Sequence, residues 1–381
     1  MRLLASIFLL ICFCCCSIKP PPPKFLSSTP KELSHIQLPD GFAIEYFMRD
    51  VSNAREMTRA AGGTIFVGTR NNDKVFALLD RNQDGKPDSL MVIAEDLFMP
   101  NGVAMRGGDL YVAEVNRIIK FPNIEARLPK VPKIEVVYDQ FPSEKHHGWK
   151  YIDFEPGGER LWVPVGAPCN ICESEDSIFA TITSMRYDGT DLRIEAHGVR
   201  NSVGFDWHPK TGAFYFTDNG RDWMGDDLPP CELNYLSERG QHFGYPFCHG
   251  DTIPDPELAN LPCSQYQAPI EELGAHVAPL GVLIHTGKSL PKEYHNQVFI
   301  AEHGSWNRST RNGYRISVVP LDAEGKATDY KSFATGWEIG EKVSGRPVAL
   351  LELPDGSILV SDDYADVIYR IYYTGGEGVT E

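Results

Sequence analysis

Beyond the N-terminal segment no second Cys-x-x-Cys pair accompanies the one at Cys169 to Cys172, and no Cys-x-x-Cys-His occurs. The first absence argues against a zinc ribbon, and the second excludes a covalently attached c-type haem. No βαβ pattern surrounds the pair, so a thioredoxin-like redox site is also a poor fit. Long helical apolar patterns are missing throughout. Basic residues are in deficit, with 36 Lys and Arg against 52 Asp and Glu and a formal charge of −16. Nucleic acids and anionic membrane surfaces are therefore poor partners for the body of the protein. The acidity suits solubility; it excludes partners without naming one. Disorder is excluded in turn, because 42% of the residues are hydrophobic and 11% aromatic, enough for several small cores.

What is present is a recurring phrase: a turn built on Gly or Asp-Gly, a short alternating run of β-branched and aromatic residues, then polar residues. Its six copies begin at Gly62, Gly107, Gly157, Thr211, Asn296 and Asp355. Alternation over four to eight residues bounded by Gly, Asn and Asp reads as half-buried antiparallel strands. Copies 45 to 85 residues apart, with further strand-like runs between them, give the rhythm of an all-β propeller with its binding loops on one face. The 381 residues then form one closed domain, over 38–375, rather than two. Chemistry is expected in the polar residues that follow each run.

The N-terminus reads as an export signal. Arg2 precedes an apolar stretch from Leu3 to Phe13, too short to span a bilayer and placed as a secretory core. Cys12, Cys14, Cys15 and Cys16 crowd its end. Residues 1–16 are thus a signal peptide, either of the lipoprotein type with lipid on Cys16 or Cys14, or an ordinary secretory one. A Pro-rich linker follows over 17–37. The expected location is periplasmic or at the cell surface, tethered by the N-terminal lipid, and the expected state is a monomer. Export permits oxidised thiols. It favours one disulfide between Cys169 and Cys172 and another between Cys248 and Cys263, closing the loop that holds His249 and Asp251 and leaving Cys231 over.

Several clusters could carry chemistry. Lys145-His146-His147-Gly148-Trp149 precedes a predicted strand at Tyr151 to Phe154, and His147 there suits a general base because an imidazole titrates near neutrality. Arg200-Asn201 lies between glycines before another strand. The planar fork of the arginine and the donor and acceptor of the amide suit an anionic, oxygen-rich ligand. Glu302 to Arg308 and Gly345-Arg346-Pro347-Val348 also sit at strand edges, so in a propeller these loops ring the central channel, with Arg200 and Arg346 facing inward.

At this point a resemblance becomes specific. His147-Gly148-Trp149, Gly166-Ala167-Pro168-Cys169-Asn170-Ile171-Cys172, Arg200-Asn201-Ser202-Val203-Gly204, Gly304-Ser305-Trp306-Asn307-Arg308 and Gly345-Arg346-Pro347-Val348, ending in Ser361-Asp362-Asp363, resemble the sorbosone and pyranose dehydrogenase branch of the soluble quinoprotein sugar dehydrogenases. The likeness runs from about Leu38 to Tyr373. It implies a six-bladed β-propeller that binds pyrroloquinoline quinone (PQQ) and calcium over the channel and oxidises an aldose, pyranose or sorbosone-like sugar. By the family's pattern His147 is the base, Arg200 and Asn201 contact the cofactor, and Arg200 stabilises charge on the quinone oxygen. Arg346 matches one of a pair of arginines whose second member is missing. His303 stands where the glucose-oxidising branch has lysine, which makes carboxylate binding there pH-dependent. Calcium would rest on the backbone carbonyls of Gly220 and Arg221. Trp149, Trp223 or Trp306 would stack on the sugar or serve only in packing between blades. The electron acceptor is not identified by anything in the sequence.

Two further groups allow a cation. Asp80 to Asp88 places oxygen side chains at alternate positions with Gly85 among them, like the first half of an EF-hand loop, but has Met91 where the distal glutamate belongs; a polar hairpin turn explains the same residues. Asp226, Asp227 and Glu232 either hold an ion or solvate their loop. Two other functions compete with the dehydrogenase: a propeller retained as a binding module without redox chemistry, and a calcium-dependent hydrolase of the lactonase type, which would build a cage from residues such as Asp218, Asn219 and Glu302.

Overall fold

The computed structural model describes residues 28–287 and 289–375; the signal peptide, Cys12 to Cys16 and the first part of the linker lie outside them. Five four-stranded antiparallel sheets and one five-stranded sheet, whose fifth strand Gln241–His242 pairs in parallel, form the blades of a six-bladed β-propeller, with two two-stranded sheets beside them. Blade 1 is built from Ala54–Arg59, Ile65–Thr69, Val75–Leu79 and Ser89–Ala94, and blade 2 from Gly102–Arg106, Asp109–Ala113, Ile118–Phe121 and Glu135–Tyr138. Blade 3 begins at Asp153–Phe154, blade 4 at Phe205–Trp207 and blade 5 at Pro279–Ile284. Blade 6 combines Pro347–Glu352, Ile358–Asp362 and Val367–Tyr373 with the first strand of the chain, Phe42–Arg49. That pairing runs from Phe42 opposite Tyr373 to Arg49 opposite Val367 and locks the ring. The four-residue Ile124–Arg127 is the α-helix of the described residues.

Each of the six recurring phrases forms the second strand of a blade: Ile65–Thr69, Asp109–Ala113, Arg160–Val165, Phe214–Asp218, Val298–Glu302 and Ile358–Asp362. They are not half-buried, as alternation predicts. Ile65–Thr69, Phe214–Asp218 and Ile358–Asp362 are buried at every position. The cause is the ring: an inner strand has a neighbouring blade against each face, so positions of both parities are covered. Six apolar cores result, one between each pair of adjacent blades. Leu33 and Ile36, ahead of the first strand, are buried in the core between blades 5 and 6. The predicted strand at Tyr151 to Phe154 is shorter, Asp153–Phe154.

The inner wall is tight. A Cβ on Gly204, at the entry to blade 4, would lie 2.0 Å from the carbonyl oxygen of Leu280 on blade 5, so a bare backbone is required where the two blades meet. The antiparallel order of each blade also sorts the loops. Residues that precede an innermost strand and residues that follow a second strand emerge at the same end of the channel, and that rule assembles the site.

Candidate functional site

At this end of the channel a cavity of about 270 Å³ is lined by His147, Arg200, Asn201, Gly220, His303 and Arg346. Six of the seven residues singled out in the sequence thus meet in one place. Arg221, the seventh, turns its guanidinium away into a buried pair with Asp255, with Glu257 beside it. His147 and Arg200-Asn201 arrive on the loops entering blades 3 and 4, Gly220 on the loop after the second strand of blade 4, His303 after that of blade 5, and Arg346 just before blade 6.

His147 has a left-handed backbone, φ 51°, and is packed against Gly166, where a Cβ would come within 2.6 Å of the histidine's own Cβ. Its Nδ1–H donates to the carbonyl oxygen of Ala167 at 3.0 Å. That bond assigns the proton to Nδ1 and leaves the lone pair on Nε2. Burial, then the positive charge of Arg200 and then His146, hold the imidazole well below its ordinary pKa, so the ring is neutral at neutral pH and competent as a base.

The Arg200-Asn201 backbone is fixed by Asp218, whose carboxylate accepts both amide N–H groups, at 2.7 and 2.6 Å. The Arg200 side chain is gripped by the loop inside the Cys169–Cys172 disulfide. Its Nε donates to the carbonyl of Asn170 at 2.9 Å, one Nη to the Asn170 side-chain oxygen at 2.8 Å, and the other Nη to the carbonyl of Asn219 at 3.1 Å. Three of its five N–H groups are thereby occupied, and the Asp222 carboxylate faces one Nη at 3.6 Å.

Two cavity-lining arginines were missed. Arg55 lies within the first strand of blade 1, almost fully buried, and pairs with Asp363 at 2.9 Å. Arg70 follows the second strand of blade 1, stacked over the Trp149 ring with its guanidinium carbon 3.6 Å from the centroid. Its Nε is buried without a hydrogen-bond partner, as is the indole N–H of Trp149. Burial and the nearby Arg55 push the Arg70 pKa down to about 10, which still leaves it cationic. Arg55 and Arg70, both from blade 1, line the same cavity as Arg346. Arg70 carried a signal: it is the polar residue immediately after the first recurring phrase. Arg55, inside a strand, carried none.

His303 donates its Nε2–H to the Asp363 carboxylate at 2.7 Å. Burial outweighs the attraction of Asp363 and takes the imidazole down to about 4, so His303 stays neutral across the range in which an ordinary histidine titrates. The Asp363 carboxyl, despite its own burial, is held below the usual range by His303 and Arg55. Cys231, unpaired among the described cysteines, is buried at the cavity wall with its thiol pushed up to about 11 by burial. The two expected disulfides, Cys169–Cys172 and Cys248–Cys263, are formed.

The competing cation sites do not assemble. Among the described residues no group of three or more His, Cys, Asp or Glu side chains is arranged to hold a metal. In the Asp80 to Asp88 loop the side-chain oxygens accept backbone amides: Asp80 from Asp84 and Gly85, Asn82 from Asp84, and Asp88 from Arg81. The polar-turn reading accounts for them. Glu302 pairs with Arg315 at 2.7 Å and accepts the Tyr330 hydroxyl, while Asp218 is engaged by amides, so the cage of a lactonase-type hydrolase is not formed. Asp227 pairs with Arg308 at 2.7 Å, and Glu232 accepts from Asn234 and from the Gly250 amide. Trp223 and Trp306 stand at the mouth, 68% and 67% exposed, edge to face with centroids 5.6 Å apart.

Residues 252–373 match the TrAA12-like family model. An uncharacterized protein of Borreliella burgdorferi is 35% identical over 355 residues, covering 89% of this chain and 91% of the relative. The fold is similar to the calcium structure of a Trichoderma reesei carbohydrate-active enzyme of family AA12, with a TM-score of 0.78 and 20% identity over 89% of this chain and 97% of the other. It is also similar to the holo form of the PQQ domain of a Coprinopsis cinerea pyranose dehydrogenase, with a TM-score of 0.74 and 20% identity over 92% and 98%. The relative extends nearly end to end, the family model covers the last two blades and the site loop of blade 6, and the motifs fall at the channel mouth in their expected order. This chain belongs to one family with the Borreliella burgdorferi protein, its residues 252–373 match the TrAA12-like family model, and its fold is that of the AA12 and pyranose dehydrogenase propellers.

Proposed function

We propose that the protein is a PQQ-dependent dehydrogenase that oxidises the hydroxyl of an aldose, pyranose or sorbosone-like sugar and passes the electrons to a separate acceptor. One observation carries this reading: the guanidinium groups of Arg55, Arg70, Arg200 and Arg346 converge on the same cavity as a neutral, correctly protonated His147. A propeller serving only as a scaffold has no physical use for four cations gathered in a protein of charge −16. A polycarboxylate does, because the orphaned Nε of Arg70 offers a charge-assisted hydrogen bond.

The donor set therefore fits the quinone, held by Arg70, Arg200, Asn201 and Arg346, with His303 at the rim. When bound, it supplies the two-electron acceptor for the hydride that leaves the sugar carbon. His147 Nε2 takes the hydroxyl proton of the sugar, and its Nδ1–H bond to Ala167 holds the ring in the tautomer that can do so. Arg200 places positive charge where oxygen becomes more negative. A calcium ion would rest on backbone oxygens of the Gly220-Arg221 turn and on the oxygens of the cofactor, since side-chain carboxylates are not arranged for it. The cavity lies just below the volume range of pockets that enclose a single drug-sized ligand, so the sugar would sit outside it, against Trp223 and Trp306.

Two disulfides support a working place outside the cytoplasm, with the N-terminal segment as export signal and, if lipidated, as tether. The test is to titrate the purified, signal-less protein with PQQ and calcium, then add a panel of aldoses with a dye acceptor. Calcium-dependent quinone binding followed by dye reduction establishes the dehydrogenase. Absence of quinone binding overturns it.

A further inference from the structure

We propose that Asn170, held between Cys169 and Cys172, is the positioning residue that sets the orientation of Arg200 in the cavity it shares with His147. This inference rests on the reading of the cavity as a quinone site for its consequence in catalysis, but its geometry is independent of that reading. Asn170 presents two acceptors to one guanidinium: its carbonyl oxygen takes Nε at 2.9 Å and its side-chain oxygen takes an Nη at 2.8 Å. The fork of the arginine is thus met along one edge by a single residue, which fixes the plane of the group as well as its place. The side chain of Asn170 is itself fixed. Its oxygen also accepts the Asp222 amide at 2.8 Å, and its amide nitrogen donates to the Asp222 carbonyl at 3.2 Å. Asp222, in turn, faces Arg200 with its carboxylate 3.6 Å from an Nη.

The bracket explains why a disulfide stands here. The loop from Cys169 to Cys172 belongs to no strand, so the backbone carbonyl of Asn170 is not held by a sheet ladder. Closing three residues of separation with a bond fixes it instead. The Tyr245 hydroxyl anchors the outer side of the loop, 3.4 Å from Cys169 Sγ and accepting the Cys172 amide at 3.2 Å.

The consequence reaches the base. His147 feels the charge of Arg200 as the second largest influence on its protonation after burial. The other groups that act on it are His146 and Arg70, which lower its pKa, and the Ala167 carbonyl, which raises it. If the guanidinium swings away from the cavity, the imidazole regains protons at higher pH. Position of Arg200 and availability of the base are therefore one variable.

The experiment compares wild type, Asn170→Ala and the Cys169→Ser/Cys172→Ser double variant. Titration of His147 is followed by NMR in the cofactor-free protein, and PQQ affinity is measured by calorimetry with calcium present. In Asn170→Ala the His147 midpoint should move up, and PQQ affinity should fall at least about tenfold, as loss of hydrogen bonds to a charged group implies. The double variant, which keeps Asn170 but releases its loop, should move both quantities in the same direction by less. Thermal melts identify variants that fail to fold, and the cysteine pair supplies the second route if Asn170→Ala is one of them. An unchanged His147 midpoint in a folded Asn170→Ala protein overturns the proposal. Failure of wild type to bind PQQ overturns the dehydrogenase reading alone, because the midpoint shift is read without cofactor.

Discussion

At the scale of single residues, the site divides into one base and a set of cations, and their environments differ in sign. Burial lowers the pKa of His147 and keeps it neutral, whereas the arginines remain charged because a guanidinium starts far above neutrality. His147→Ala should lower kcat by about 10²- to 10⁴-fold and leave PQQ affinity within about twofold of wild type, measured by stopped-flow dye reduction and calorimetry. Unchanged turnover would remove His147 as the base. The pH dependence follows with a definite sign. A base whose pKa is depressed stays unprotonated to lower pH, so kcat should remain flat as pH falls through the ordinary histidine value of about 6.5 and decline only below it. A midpoint at or above that value would contradict the environment described for the ring.

Among elements, the loops that enter the innermost strands carry the catalytic geometry and the second strands carry the frame. The left-handed turn at His147 presses its side chain against Gly166, which follows the second strand of blade 3. In Gly166→Ala the new methyl would sit 2.6 Å from His147 Cβ and 2.7 Å from its carbonyl oxygen. Neither is the far end of a flexible chain, so the base must shift. Turnover should fall at least about tenfold, in line with the sensitivity of catalysis to an ångström of misplacement, while the melting temperature drops by only a few degrees. Parallel kinetics and melting curves would check this, and a variant with wild-type kcat would show that the loop can yield. The recurring phrases made these elements legible, since each copy is a second strand and the residue after it points to the channel mouth. Strand burial was not legible, because alternation reports one covered face while the ring covers two.

For the molecule as a whole, stability depends on closing the circle with a strand taken from the opposite end of the chain. Phe42–Arg49 completes blade 6, and Ala43, Ile44 and Phe47 are buried there. Removing Ile44 and Phe47 from the interior costs about 1.5–3 kcal/mol each, a large part of the 5–15 kcal/mol net stability usual for a folded domain. Deletion of residues 28–49 should therefore abolish the cooperative unfolding transition in guanidinium, read by tryptophan fluorescence. A truncated protein that unfolds cooperatively at the wild-type midpoint would show that the ring holds without its clasp. The same long-range closure puts Asp363 of blade 6 beside Arg55 of blade 1, so the seam of the ring lies at the site and damage to it would reach the arginines.

The blade count came with the family resemblance; the sequence by itself determined the propeller architecture, both disulfides, and the gathering of His147, Arg200, Asn201, His303 and Arg346 at strand edges around the channel. These follow from local signals: turn residues bounding alternating runs, and reactive side chains at strand edges. Tertiary structure alone decided the rest. Arg55 sits in mid-strand, with nothing in its neighbours to distinguish it from a structural arginine, and becomes a cavity residue only when blades 1 and 6 meet. Burial takes the His303 imidazole below the ordinary histidine range, and burial is a property of the packed ring. Asn170 gains its role because a loop of blade 3 is brought against the entry to blade 4. Each of these depends on contacts between residues distant in the chain, and such contacts are fixed by the closure of the propeller rather than by any local pattern.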